Sequence, residues 1–257
     1  IVVLLNSYFS KMKNNFRTNL ISLLNNSFVQ RVRYSPVLDY HQWSLLKFVK
    51  ENARKIKSTE KIIDIGAGEL KYRQYFRHCI YRSQDLCVGD SKWDFSGIDI
   101  ISSAYDIPED NHSYDYILCI QVLEHLEFPD KAFTEFNRLL KTGGRLLLSA
   151  PLGQGEHQIP HDYFRYTQYG LRSLGERSGF KLVLIQPHGG IFISLEYVLW
   201  ILLGVVLPFE NSKLFRYSVF IVLLPIKMLS GLLFIALDVL DRKKQYTLNY
   251  NCVYEKK

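Results

Sequence analysis

Acid is missing from the start of this chain: no Asp or Glu precedes Asp39, although Lys11, Lys13, Arg17, Arg31 and Arg33 all fall there. Such a basic arm suits an anionic membrane surface or a nucleic acid, but no RNA-binding signature of interleaved aromatic and basic residues accompanies it. Cysteine is scarce as well. Cys79, Cys87, Cys119 and Cys252 form no CxxC pair and have no histidine at ligand spacing. That argues against a zinc site or a disulfide framework, so no metal is expected, and a reducing compartment follows. The opening "IVVLLN" is too short an apolar run for a secretory signal and carries no cleavage pattern, so the start reads as truncated or misassigned. No GK[ST] is present, which excludes a Walker A loop. The dinucleotide fingerprint GxGxxG fails at its third glycine, where Lys71 stands. Internal repeats and low-complexity tracts are absent too.

What is present is ample for a folded core: 257 residues, 47% of them apolar, with a net charge of +7. Trp43, Leu46, Val49 and Ala53 recur at helical spacing behind Asp39 as a cap. "IIDIG" reads as a strand, Tyr72, Phe76 and Cys79 as a helix face, "YRSQDL" as a second strand and "IDIISSAYDIP" as a third, closed by Pro108. "YDYILCIQ" is a fourth strand. Phe133, Phe136 and Leu140 share a face of a helix that Gly143 and Gly144 end. "RLLLSAP", a helix capped by Thr167, "KLVLIQP" and a last strand at about 246 to 256 complete the series. Alternating strands and helices predict a largely parallel sheet covered on both faces.

In an open parallel sheet the ligand sits beyond the carboxyl ends of the strands, where the strand order reverses, so "KIIDIGAGELKY" is the natural cofactor loop. Glu69 would repel a pyrophosphate there. A cofactor carrying a cation and a ribose is compatible. Asp85 ends the next strand 17 positions after Gly68, close to the roughly 20-residue interval of a ribose-binding carboxylate, with Asp90 as a fallback.

Together, "IIDIGAGELKY", "YRSQDL", "IDIISSAYDIPEDNHSYDYILCIQVLEHL", "FNRLLKTGGRLLLSAP" and "HDYFRYTQYGLRSL" resemble a class I S-adenosylmethionine-dependent methyltransferase of the type 11 group. The likeness spans roughly residues 40 to 190 plus the last strand. It implies an α/β, Rossmann-like methyltransferase fold: a mostly parallel seven-stranded sheet with helices on both faces, here with an apolar helical insertion before the last strand. It also implies S-adenosyl-L-methionine as cofactor. On that resemblance Asp64, Gly66, Ala67 and Gly68 line the methionine end, Asp85 holds the ribose, and Gln121 lies near the transferred methyl. Ser103 stands where many relatives have an acid that accepts from the adenine amino group, with Asp106 as an alternative. The family's third glycine is Leu70.

Methyl transfer from a sulfonium needs an aligned acceptor and, for a hydroxyl, removal of its proton. "GQGEHQIPHDYFRYT", after the fifth strand, supplies His157 and His161 as candidate bases, Asp162 to orient an imidazole and Arg165 to hold an anionic acceptor. His125 of "LEHL" recurs in the family near the cofactor.

The organisation expected is a basic arm at 1–38, a methyltransferase core at 39–190, an apolar helical insertion at 191–240 and the final strand at 241–257. The insertion holds apolar runs of 19 residues (191–209) and 21 residues (217–237), near the roughly 20 that cross a bilayer. Glu196, Pro225 and Lys227 interrupt them. A hairpin that crosses or enters a membrane, helices lying on its surface, and a soluble lid or dimer interface all compete. The hairpin returns the chain to the side it left and puts Arg242, Lys243 and Lys244 on the cytoplasmic side. The resulting expectation is a methyltransferase at the cytoplasmic face of a membrane, acting on a small or lipid-linked acceptor. Its rivals are a catalytically silent membrane scaffold and a nucleic-acid methyltransferase, the latter disfavoured by the absence of an NPPY-type motif after the fourth strand.

Overall fold

A computed structural model describes residues 34–89, 93–206 and 213–257, with the side chains of 213–221 outside the description. Most of the expected basic arm and the fallback acid Asp90 therefore lie outside the described residues. The chain divides into two compact units. One comprises the described residues up to Ser44 with Gly189–Thr247; the other comprises Leu45–His188 with Leu248–Lys257.

The larger unit is built on seven strands: β1 (Lys61–Ile65), β2 (Ile80–Asp85), β3 (Ile100–Ile101), β4 (Tyr114–Ile120), β5 (Leu140–Pro151), β6 (Phe180–Pro187) and β7 (Asn249–Lys256). Their order across the sheet is β3-β2-β1-β4-β5-β7-β6. The pairs from β3 to β5 are parallel, whereas β7 runs antiparallel to both β5 and β6. Ile62, Ile63, Ile65, Ile117 and Leu118 are fully buried, as a parallel sheet covered on both faces requires. Phe133, Phe136 and Leu139 of α2 (Pro129–Leu139, after α1, Tyr40–Ala53) and Leu171 and Leu174 of α3 (Gln168–Arg177) join Ile63, Ile65 and Ile117 in one core. The two expected caps form: Asp39 Oδ1 accepts from Gln42 N at 2.9 Å, and Thr167 Oγ1 accepts from Gly170 N at 3.1 Å.

Three local expectations change. The helix expected over Tyr72, Phe76 and Cys79 is only a 3₁₀ turn at Arg73–Tyr75, although Tyr72 and Phe76 are buried as that face predicted. Leu70, in the left-handed region at φ +56°, delays any helix until too few residues remain before β2. Gly143 and Gly144 do not end α2, which stops at Leu139. They lie at the start of β5, where the pairing with β4 shifts register and Gly143 takes φ +75°. The third strand shrinks to Ile100–Ile101 because a turn follows at once, bridging Ser103 and Asp106.

The smaller unit contains α4 (Ile191–Val206) and α5 (Lys213–Asp238). Among the described residues no helix is long and apolar enough to cross a membrane.

Candidate active site

The strand order reverses between β1 and β4, so the carboxyl ends of β1, β2 and β4 share one edge of the sheet. The chain leaving β1 folds back on β2: Gly66 N and Ala67 N both donate to Gln84 O, at 2.9 and 3.0 Å. Gly66 has φ +69°, and a Cβ there would sit 2.4 Å from a methyl of Val122. Only glycine fits. Gly68 also has positive φ, at +52°, but a Cβ there meets nothing within 4 Å. Its N–H donates to Asp85 Oδ2 at 2.8 Å, while Asp85 Oδ1 accepts from Cys87 N at 2.7 Å. The two residues that spacing linked are thus in direct contact. At Leu70 the backbone keeps the left-handed conformation that glycine would adopt without strain, at a cost of roughly 1–2 kcal/mol.

Asp64 is buried and accepts from Tyr81 Oη at 2.8 Å. Burial pushes its carboxyl from the ordinary 3.8 up to about 7; the Tyr81 hydrogen bond works against that rise and the Asp85 charge adds to it. Gln121, just past β4, is itself left-handed at φ +58°. Its amide is fixed from two sides, donating to Asn249 Oδ1 at 2.8 Å and accepting from Gln154 Nε2 at 3.0 Å. Ser103 lies past β3, its hydroxyl accepting from Tyr105 N at 3.2 Å, and Asp106 is exposed.

A second cluster follows β4 and β5. The 3₁₀ turn Leu123–His125 presents Glu124 and His125, and the loop after β5 brings His157 to them. Glu124 Oε1 is 3.9 Å from His125 Nε2 and 3.8 Å from His157 Nε2, and the two imidazoles meet edge to face at 4.8 Å. The loop is stapled in place. Arg165 donates to both oxygens of Asp162 at 2.7 Å and to the carbonyls of Gln154 and Gly155 at 2.8 and 2.7 Å. Tyr163 N and Phe164 N donate to Glu124 O at 2.8 and 3.3 Å.

Arg165 holds the Asp162 carboxyl well below the usual range. Glu124, the largest influence, raises the His157 pKa; burial opposes it, and the Gly155 carbonyl and Asp162 support it. Of the candidates read from the sequence, His157 joins the cluster. Asp162 instead braces the loop, accepting from His157 N at 2.8 Å. The His161 ring is exposed, and only its carbonyl, accepting from His125 Nδ1 at 2.6 Å, reaches the cluster. Sequence reasoning missed Glu124: in "VLEHLEF" an acid between polar and apolar neighbours carries no sign that it is fully buried.

The family described as "Methyltransferase domain" matches residues 40–184. No curated protein sequence matches the chain. Among solved structures, the [4+2]-cyclase SpnF superposes with a TM-score of 0.51 at 13% identity, covering 84% of this chain and 81% of its own. Phosphoethanolamine N-methyltransferase 2 of Haemonchus contortus, solved with S-adenosyl-L-methionine, gives 0.51 at 15% identity, over 89% of this chain and 59% of its own. A provisionally assigned sarcosine dimethylglycine methyltransferase from Galdieria sulphuraria gives 0.51 at 14%, over 86% and 88%. These likenesses establish the fold, which a cyclase shares, so the activity rests on the family match. The β1–β2 loop is chemically compatible with the cofactor of that family: space is open over Gly68, and Asp85 and Asp64 are buried carboxylates, groups able to accept from a ribose diol or balance a cation. The chain belongs to the methyltransferase domain family, the class I enzymes that use S-adenosylmethionine.

Proposed function

We propose that this S-adenosylmethionine-dependent methyltransferase works at the cytoplasmic face of a membrane, on a small or lipid-linked acceptor. The observation that carries the reading is the surface of α4 and α5. Val198, Leu202, Val205 and Val206 of α4 and Val222, Leu229, Leu232 and Leu233 of α5 are each more than half exposed. Contiguous apolar surface on this scale marks an interaction site. The polar residues that interrupt both runs turn toward each other instead. Lys227 pairs with Glu196, Trp200 Nε1 donates to Ser230 Oγ at 3.1 Å, and Lys227 Nζ lies 5.2 Å over the Trp200 ring.

Lipid is the occupant this surface favours, because cations stand at one end of it. Arg242 and Lys243 are exposed beside Tyr246, and with Ile191 and Leu240 they line an open cavity of about 320 Å³. Apolar helices flanked by cations and an aromatic suit an anionic interface. Among the described residues neither helix is both long and apolar enough to cross a bilayer, so the reading is of a hairpin that enters or lies on one leaflet. The four free thiols suit a cytoplasmic setting.

In the core unit, Asp85 holds the ribose, Gly66 to Gly68 admit the methionine end beside Asp64, and Ser103 borders the adenine. When bound, the cofactor supplies an electrophilic methyl. Gln121, locked by Asn249 and Gln154, orients groups at the end of β4, and the Glu124–His125–His157 cluster takes the polar end of the acceptor. Asp162 and Arg165 hold that loop closed.

Flotation with phosphatidylcholine vesicles, with and without phosphatidylserine, tests the membrane claim. The protein should float with the anionic vesicles, and Leu229→Glu with Val205→Glu should abolish flotation while leaving S-adenosylhomocysteine binding unchanged. Wild-type protein that stays at the bottom with both vesicle types, or sediments as a stable dimer, overturns it.

A further inference from the structure

We infer that Glu124, His125 and His157 form a binding site for a divalent first-row transition metal. The argument begins with a cost. Glu124 is fully buried, and neither of its carboxylate oxygens has a hydrogen-bond partner. A buried carboxylate left unpaired is among the least favourable groups a fold can hold, and native structures satisfy nearly all such atoms.

The tautomers of the two histidines remove the obvious donors. His125 Nδ1 lies 2.6 Å from His161 O, and His157 Nδ1 lies 3.1 Å from Gly155 O. A carbonyl can only accept, so these contacts put the proton on each Nδ1; at His157 the 3.1 Å contact to Gly155 O outweighs the longer 3.5 Å approach of Arg165 Nη2 to the same nitrogen. In the neutral imidazoles each Nε2 is then a bare lone pair, and both point at Glu124 Oε1. His125 Nε2 is buried and has no hydrogen-bond partner. With both rings neutral, three acceptors face one another across separations no greater than 4.8 Å; protonation of His157, which Glu124 favours, supplies one donor to Glu124 and still leaves His125 Nε2 without a partner. One water has two hydrogens for these three positions. A single cation satisfies all three.

The donor set selects the ion. Two imidazoles and one carboxylate suit zinc and its first-row neighbours, whereas magnesium and calcium prefer all-oxygen sites. With bonds of roughly 2.0–2.1 Å, tetrahedral ligands stand roughly 3.3 Å apart. The observed 3.8 and 3.9 Å contacts to Glu124 must close by about 0.5–0.6 Å, and the widest separation in the triad, up to 4.8 Å, by up to about 1.5 Å, a movement the loop carrying His157 has to supply.

The outer shell is already built. Both Nδ1–H groups are held by backbone carbonyls, the arrangement that fixes ligating histidines, and Asp162 and Arg165 clamp the loop that carries His157. Three protein ligands leave a fourth position for an oxygen atom of water or of the acceptor. Sequence spacing gave no hint of this site, because His157 follows a whole strand and its loop after His125. The inference does not depend on the membrane reading.

The test is calorimetric titration of the chelator-stripped full chain with Zn²⁺, repeated with Co²⁺ while its visible absorption is followed. One saturable site should appear, with a Kd below micromolar, and Co²⁺ should develop the absorption bands of a tetrahedral or five-coordinate ion. His157→Gln, on a half-exposed loop position, should weaken Zn²⁺ at least tenfold. Glu124→Gln should weaken it as much while raising the melting temperature of the metal-free protein, since it removes the unpaired charge; a merely structural glutamate would lower it. Absence of a saturable site in the wild type, or equal affinity in both variants, overturns the proposal. S-adenosylhomocysteine binding measured on the same stripped samples keeps this outcome separate from the methyltransferase assignment, which fails only if that binding is absent.

Discussion

Around β1 and β2 the site is made of backbone: Gly66 and Gly68 turn through positive φ, the amides of Gly66 and Ala67 tie to Gln84 and that of Gly68 to Asp85, and few side chains are committed. Around β4 and β5 it is made of side chains, with Glu124, His125 and His157 converging under a loop that Arg165 holds by five hydrogen bonds to Gln154, Gly155, Asp162 and Phe164. The first half, which the proposed function assigns to the cofactor that members of the family share, can be fixed by turn geometry. The second half, which the proposed function assigns to the acceptor, is defined by charges that come from distant parts of the chain. The two halves should therefore respond differently to substitution.

The largest effect is expected at the turn. Gly66→Ala adds a Cβ 2.4 Å from Val122 at a positive φ, combining overpacking of roughly 1–3 kcal/mol with roughly 1–2 kcal/mol of backbone strain. Denaturant unfolding should show about 2–5 kcal/mol lost. Gly68→Ala, two residues away, meets open space and should cost only the backbone strain of about 1–2 kcal/mol, yet it should weaken S-adenosylhomocysteine binding because its methyl enters the space the proposed function gives to the cofactor. Equal losses of stability in the two variants would dissolve the distinction between a packed glycine and a ligand-facing one.

An intermediate effect is expected from Asp64. Its folded pKa of about 7 lies above its ordinary 3.8, so the folded state binds the extra proton between those values. Its contribution to stability is complete below about pH 4, falls as pH rises, and is gone above about pH 7, a span of up to about 4 kcal/mol. Thermal unfolding of the cofactor-free protein across this window should show that decline, and Asp64→Asn should flatten it. Identical profiles for wild type and variant would place the proton elsewhere.

The same contrast explains what could be read from the sequence. The strands were legible because each is a short apolar run between turn residues, and Gly66, Gly68 and Asp85 were legible because a βα turn and the next strand end lie at a fixed distance. Leu70 hid a glycine's conformation behind a leucine, which is why a helix was expected where only a 3₁₀ turn forms. The convergence of Glu124 with His157 was illegible because it depends on how the loop after β5 folds back, and nothing local signals that return. His161, four residues from His157, looked equivalent in sequence; only the path of the loop turns its ring outward. The polar interruptions of the apolar insertion gave no sign of pairing, yet Glu196 and Lys227 meet.

The cofactor site is the part on which everything else depends, and calorimetric titration with S-adenosylhomocysteine addresses it most directly. The wild-type chain should bind one equivalent saturably. Asp85→Ala should weaken that binding by roughly 1–3 kcal/mol, the cost of leaving ribose hydroxyls unpartnered, with the melting temperature of the free protein used to separate lost recognition from lost folding. No binding by the wild type, or undiminished affinity in a folded Asp85→Ala variant, would contradict the account.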